Sequence, residues 1–200
     1  SQIKQAIYKN GVTDYMEISN ISKGLRIKLK EELGDVLTLK SIHEVKGDQA
    51  HKVLFETRDK EKIESVAMTY HSENKIREPL CISSQSGCTL GCKFCATGTM
   101  GFKKNLSADE ITDQILFFKN QGHKIDGISF MGMGEPFANP NFFEALKNII
   151  DPELLGISQR KLSVSTVGLI PGIKRLTKDF PQVNLAFSLH SPFPKQRAEL

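Results

Sequence analysis

Residues 87–98 read GCTLGCKFCATG, which places three thiols, Cys88, Cys92 and Cys95, within eight residues and sets glycines around them. Thiols so close together are metal ligands or redox groups before they are anything else. A structural zinc site takes four tetrahedral ligands, commonly as two C-x-x-C or C-x-x-H pairs. Cys92 and Cys95 make one such pair, and Cys81, His71 or His123 would have to help complete the set. Three thiolates on a tight loop also suit three irons of a [4Fe-4S] cluster, whereas an electron-transfer cluster takes four cysteines. The fourth iron is then open to a chelating ligand.

The elements that position this loop are legible from period and punctuation. PLCISS (79–84) is a short apolar strand leading into the cysteines, and GISFMG (127–132), KLSVST (161–166) and VNLAFSLH (183–190) are further strands. Between them, Ser107 to Glu110 is a capping box that opens an amphipathic helix running to about Gln121, with Gly122 at its end. Asn139-Pro140 starts another helix, and PGIKRLTKDF (171–180) is a third. The order β-α-β-α-β-α-β demands parallel strands with helical crossovers, hence an α/β sheet or barrel. In such folds chemistry gathers at the carboxyl ends of the strands. The cysteine loop, GMGEP (132–136), STVG (165–168) and SLHSP (188–192) all follow strands directly, so one rim should collect them.

Upstream, QIKQAIYK (2–9) and SKGLRIKLKEEL (22–33) have helical spacing, with Gly11 ending the first. KVLFET (52–57) and KIESVAMTY (62–70) are strand-like, and the polar HSENKIRE (71–78) separates them from the alternation. The expected organisation is an N-terminal helical and strand module over 1–70, a linker over 71–80 and an α/β core over 81–200. Residues 1–30 carry six Lys or Arg against Asp14 and Glu17, a charge excess that suits phosphates or a solvated surface alike. The whole chain, 200 residues with net charge +4, has the composition of a globular protein and no run of membrane-spanning length. A cytoplasmic setting, with reduced thiols, follows as the expectation. The alternation breaks off soon after His190, which reads as part of a longer protein.

C-x-x-x-C-x-aromatic-C, here Cys88, Cys92, Phe94 and Cys95, resembles the signature of the radical S-adenosylmethionine (SAM) superfamily. CISSQSGC (81–88), CATGTMGFKKNLSADEI (95–111), FMGMGEP (130–136), LSVSTVG (162–168) and SLHSP (188–192) together resemble the RlmN/Cfr family of radical SAM 23S rRNA adenine-2503 methyltransferases. The resemblance implies a partial radical-SAM (β/α) barrel. It implies cluster ligation by Cys88, Cys92 and Cys95, and SAM contacts at Gly134, Glu135, Ser165, Ser188, Leu189 and His190. Cys81 matches the catalytic cysteine that resolves a covalent protein–RNA intermediate by a disulfide, and Glu64 a carboxylate that accepts a proton. Read without the resemblance, Cys81 is a core thiol and Glu64 a solvent-facing strand residue. Lys103-Lys104-Asn105 is either plain surface or a phosphate contact.

The implied chemistry places a methyl group on an adenine carbon too poor a nucleophile for direct alkylation. It begins with methylation of a second catalytic cysteine, which the resemblance puts beyond Leu200. The implied partners are 23S rRNA, with transfer RNA open as a second substrate, and an electron donor such as flavodoxin or ferredoxin. The base must be unstacked to be reached. One subfamily modifies C2 of the base and the other C8, the latter conferring antibiotic resistance. GHKIDGISFMGMGE (122–135) and SLHSP resemble the C8 type, and Pro136 the C2 type. Two other classes stand against this reading: a colourless zinc-bearing RNA-binding module without catalysis, and a radical SAM enzyme of a small molecule or peptide.

Overall fold

Large apolar residues alternate with small or polar ones along the strands, and that alternation decides the architecture. The computed structural model describes residues 1–72 and 75–200. The chain opens with α1 (Gln2–Lys4), continued by a π-helical turn (Gln5–Lys9), and α2 (Lys23–Leu33). Strands β1 (Lys40–Lys46), β2 (Ala50–Glu56) and β3 (Lys62–Met68) form an antiparallel meander, followed by a hairpin of β4 (Tyr70–Ser72) and β5 (Lys75–Arg77). Then come β6 (Pro79–Cys81), β7 (Gln85–Gly87), α3 (Ala96–Thr99), β8 (Phe102–Asn105), α4 (Ala108–Asn120), β9 (Gly127–Phe130) and α5 (Phe142–Ile150). The chain closes with β10 (Leu162–Thr166), α6 (Ile170–Asp179), β11 (Asn184–Phe187) and α7 (Pro194–Glu199).

Seven strands make one sheet in the order β1-β2-β3-β6-β9-β10-β11. The last four are parallel, joined by crossovers through α4, α5 and α6, as the alternation requires. One face carries Val53, Phe55, Ile63, Leu80, Ile128, Phe130, Leu162 and Val164, all buried in a common core with Ile111 and Ile115 of α4 and Leu146 and Ile149 of α5. The opposite face carries Cys81, Ser129 and Ser163 in register across three strands. Small and polar side chains there leave room above the sheet, and the strand ends open onto it. This is the α/β architecture expected, with an antiparallel extension that was expected only in part. β1 escapes the sequence because all but one of its residues are exposed, so it shows no hydrophobic period.

The helix after Asn139 begins later than its proline suggests, with Asn141 as N-cap and Phe142 as first residue. Asn139 is spent elsewhere: its side-chain amide donates to the carbonyls of Ser84 (2.6 Å) and Leu106 (2.9 Å), tying this turn to the base of the cysteine loop. The capping box of α4 is formed as the sequence predicts, with Ser107 and Glu110 exchanging hydrogen bonds.

The strands flanking residues 71–78 pair directly, Val66 with Cys81 and Ala67 with Leu80, so one sheet unites the two sides; residues 73 and 74 lie outside the described ones. A separate small cluster of Ala6, Tyr15 and Ile18 holds the N-terminal helices together. Much of their positive charge is engaged within the chain. Lys9 donates to the Pro152 carbonyl and Arg26 to that of Met16, while Lys30 pairs with Asp35 and Asp14 and Lys28 with Glu32.

These helices abut the core beside a buried carboxylate. Asp113 of α4 accepts from the Thr38 amide and hydroxyl, both at 2.6 Å, in the segment entering β1. Burial raises its pKa to about 6, against the lowering pull of the Thr38 hydrogen bonds. The folded state therefore holds this proton between the ordinary carboxylate value and about 6, where the unfolded chain has released it. Stability from this group is full below that window and is lost as pH rises through it, by roughly 3 kcal/mol for a shift of about two units. Asp113→Asn keeps an acceptor for Thr38 and cannot ionise. Urea unfolding at pH 4 and pH 8 should find the variant near wild type in acid and more stable in base. An equal difference at both pH values would show that ionisation of Asp113 costs the fold nothing.

Candidate active site

The cysteine loop rises from a two-stranded ladder. Gln85 pairs with Asn105, Ser86 with Lys104 and Gly87 with Phe102, and the Cys88 amide donates to the Gly101 carbonyl to close the loop. Gly87 is required at this closure: its φ is +69°, and a Cβ would fall 1.8 Å from the Gly101 oxygen. The ladder has buried polar residues rather than apolar ones, so no strand pattern announces it. Gln85 is fully buried, accepting from the Glu135 amide and donating to the Asn105 side chain. Lys104 bridges Asp59 and Glu110, both at 2.8 Å, so of the three residues 103–105 only Lys103 retains the surface role considered for them.

All four of the chain's cysteines, the three of the loop and Cys81 of β6, are free thiols. Cys88, Cys92 and Cys95 line one cavity of ≈ 290 Å³ at the carboxyl ends of β9, β10 and β11, together with Gly134, Glu135, Ser165, Ser188 and His190. Leu189 is not among its lining residues and is exposed at the strand end. Ser165 and Ser188 are joined through their hydroxyls at 2.9 Å. His190 has φ +56°, a left-handed conformation unusual for its type, and its ring lies 4.3 Å from that of Phe94. The sequence did not single out Thr166 and Val167, which also line the cavity.

Three cysteines of one loop lining one cavity are a donor set that suits three irons of a [4Fe-4S] cluster. Among the described residues no three His, Cys, Asp or Glu side chains are grouped about one point. Of the fourth ligands considered for zinc, Cys81 lines a cavity together with Cys95, whereas the two histidines belong to other parts of the fold. His123 contacts His51 at 3.1 Å, and His51 contacts Glu44 at 2.9 Å, while His71 belongs to the β4–β5 hairpin. Burial pushes the Cys88 thiol up, against a backbone hydrogen bond at Leu90 that lowers it.

Glu135 is engaged within the protein. It is buried, and its carboxylate accepts from the Thr166 hydroxyl at 2.7 Å, the Val167 amide at 3.0 Å and the Phe137 amide at 3.2 Å. It thus binds the turn after β9 to the end of β10. Gly134, with φ +96°, lets this turn lie against Gln85, whose Cβ a side chain at 134 would meet at 2.5 Å.

Cys81 and Glu64 meet in a second cavity of ≈ 310 Å³, which shares Cys95, Met131 and Gly132 with the first. Cys81 points to the open face of the sheet, away from the apolar core that holds its neighbour Leu80. Burial raises its pKa, partly offset by hydrogen bonding to Ser129 and the Met131 backbone. Glu64 sits two residues from Val66, the register partner of Cys81, and forms an ion pair with Lys52.

Comparison with known proteins matches the sequence model of the Radical SAM superfamily to residues 82–200. Over all 200 residues the chain is 52% identical to the ribosomal RNA large subunit methyltransferase Cfr of Clostridium botulinum (strain Hall) and covers 57% of that protein. It is 50% identical to the Cfr of Staphylococcus aureus, covering 56%. The crystal structure of a radical SAM methyltransferase from Sphaerobacter thermophilus superposes on the whole chain with TM-score 0.90 at 36% identity, the match spanning 59% of that chain. The chain thus spans somewhat over half the length of these relatives, and it belongs to the radical SAM superfamily and, within it, to the RlmN/Cfr family.

Proposed function

We propose that this chain carries the cofactor-binding core of a methyltransferase acting on C8 of an adenine in 23S rRNA, with resistance to ribosome-targeting antibiotics as its consequence. The observation that carries the reading is the pair of adjoining cavities, one lined by three thiols and the other by Cys81 and Glu64, with Cys95 in both. The Cfr relatives, named as large-subunit rRNA methyltransferases, support the substrate. In this reading Cys88, Cys92 and Cys95 hold a [4Fe-4S] cluster, and Gly134, Glu135, Ser165, Ser188, Leu189 and His190 form the surroundings of SAM. When bound, these groups supply a 5′-deoxyadenosyl radical. Glu64 takes a proton from the base, and Cys81 releases the product through a disulfide with a second cysteine of the full-length protein. Partial burial suits Cys81, which must stay unreacted until its partner arrives.

Residues 1–70 serve as the accessory module that steadies the RNA and 81–200 as the catalytic core, joined by 71–80. An external one-electron donor of the flavodoxin or ferredoxin type reduces the cluster. The site of action is the cytoplasm, where rRNA is made; no helix among the described residues is long and apolar enough to cross a membrane. C2 methylation is the second reading, favoured by Pro136, whose ring opens the short helical turn Pro136–Ala138 directly after Glu135.

Mass spectrometry of adenosine from the rRNA of cells lacking such an enzyme, expressing the full-length gene, tests both. 8-Methyladenosine is expected. 2-Methyladenosine would transfer the assignment to the C2 type. Neither product, from a protein with its cluster intact, would overturn the substrate.

A further inference from the structure

Glu64 is held at two points. Its carbonyl accepts from the Ser83 hydroxyl at 2.7 Å, and the same hydroxyl accepts from the Met133 amide at 2.9 Å. Ser83 is itself fixed by Gln114 of α4, which accepts from the Ser83 amide and donates to its carbonyl. The backbone of Glu64 is therefore locked to the turn after β9 by groups that are fully buried. Its carboxylate is locked separately, by Lys52 Nζ at 2.7 Å from Oε1. Lys52 lies on β2 opposite Val66, and Val66 lies opposite Cys81, so ammonium, carboxylate and thiol occupy neighbouring positions on one face of three strands.

We infer that Lys52 is a positioning residue for Glu64, fixing one carboxylate oxygen so that the other faces the cavity shared with Cys81. The inference rests on the reading of Glu64 as proton acceptor. Stability does not require the pair: both side chains are more than two-fifths exposed, at 47% and 43%. Exposed pairs of this kind contribute little to folding. A long glutamate side chain at such exposure would otherwise sample several rotamers, and a misplaced base loses rate steeply. One ammonium on Oε1 removes that freedom while leaving Oε2 to accept the proton.

The test uses the full-length enzyme bearing Lys52→Met, Lys52→Arg or Glu64→Gln, with an rRNA fragment as substrate. Three quantities are read: kcat, KM for RNA, and 5′-deoxyadenosine formed per methyl group transferred. Loss of a general base lowers turnover by on the order of 10²–10⁴-fold, which is the expectation for Glu64→Gln. Lys52→Met is expected to lower kcat by about tenfold, less than the loss of the base itself, with KM little changed. Deoxyadenosine per methyl should rise, because the cavity of the three thiols is untouched. Lys52→Arg should restore both. A rise in KM that shrinks as salt is raised, at unchanged kcat, would make Lys52 a phosphate contact and overturn the inference. Wild-type kinetics for Lys52→Met beside an inactive Glu64→Gln would also overturn it while leaving the role of Glu64 standing. Full activity of Glu64→Gln would instead remove the reading on which it rests.

Discussion

Replacing any one of Cys88, Cys92 and Cys95 with alanine is expected to strip the full-length protein of its iron and its brown colour, whereas Cys81→Ala leaves both in place and stops product release. The three loop thiols line the cavity at the strand ends, and Cys81 does not. A cluster anchored by three protein ligands has none to spare, since its fourth iron is reserved for the substrate that chelates it. Cys81 lines the neighbouring cavity, hydrogen-bonded to Ser129, and its loss removes only a small side chain from a partly exposed strand position. Anaerobic purification, iron analysis and visible absorbance separate the two classes. Retention of full iron content by Cys92→Ala would show that the loop is not the cluster's anchor. A colourless protein carrying one tightly bound zinc would revive the mononuclear alternative.

What the sequence made legible was whatever depended on neighbours along the chain. The spacing of Cys88, Cys92 and Cys95, the Ser107–Glu110 capping box and the apolar runs of β9 and β10 are local signals, and the structure has each where it was expected. Contacts that depend on register were not legible. Lys52 reaches Glu64 only because β2 and β3 pair so that Lys52 faces Val66. The β7–β8 ladder was hidden for a related reason: Gln85 and Ser86 are buried by hydrogen bonding, not by apolar packing, so hydropathy is silent about them. Asn139-Pro140 looked like a helix start because proline suits the first helical position, but the Asn139 amide serves two carbonyls across the fold instead. Motif position located the site; the division of labour within it needed the third dimension.

Glu135 shows that division most sharply, and its substitution carries the second large effect. With its carboxylate already accepting from Thr166, Val167 and Phe137, Glu135→Ala would leave three donors without a partner where the residue is 3% exposed. Each buried unsatisfied donor costs about 1–3 kcal/mol, so a loss of roughly 3–5 kcal/mol is expected, a large share of the ~5–15 kcal/mol that holds a domain folded. Glu135→Gln keeps the shape but offers one oxygen, and its amide must oppose at least one donor, so roughly 1–3 kcal/mol should be lost. Denaturant unfolding of the protein without SAM measures both. A carboxylate whose main task was to bind the SAM ammonium would leave that stability unchanged on removal and weaken SAM affinity alone. The geometry favours the opposite order: the carboxylate first builds the turn after β9, and any pairing with an ammonium uses the acceptor capacity that three hydrogen bonds leave over. SAM affinity should therefore fall in Glu135→Gln together with the unfolding midpoint, because the ligand would meet a turn no longer fixed to β10.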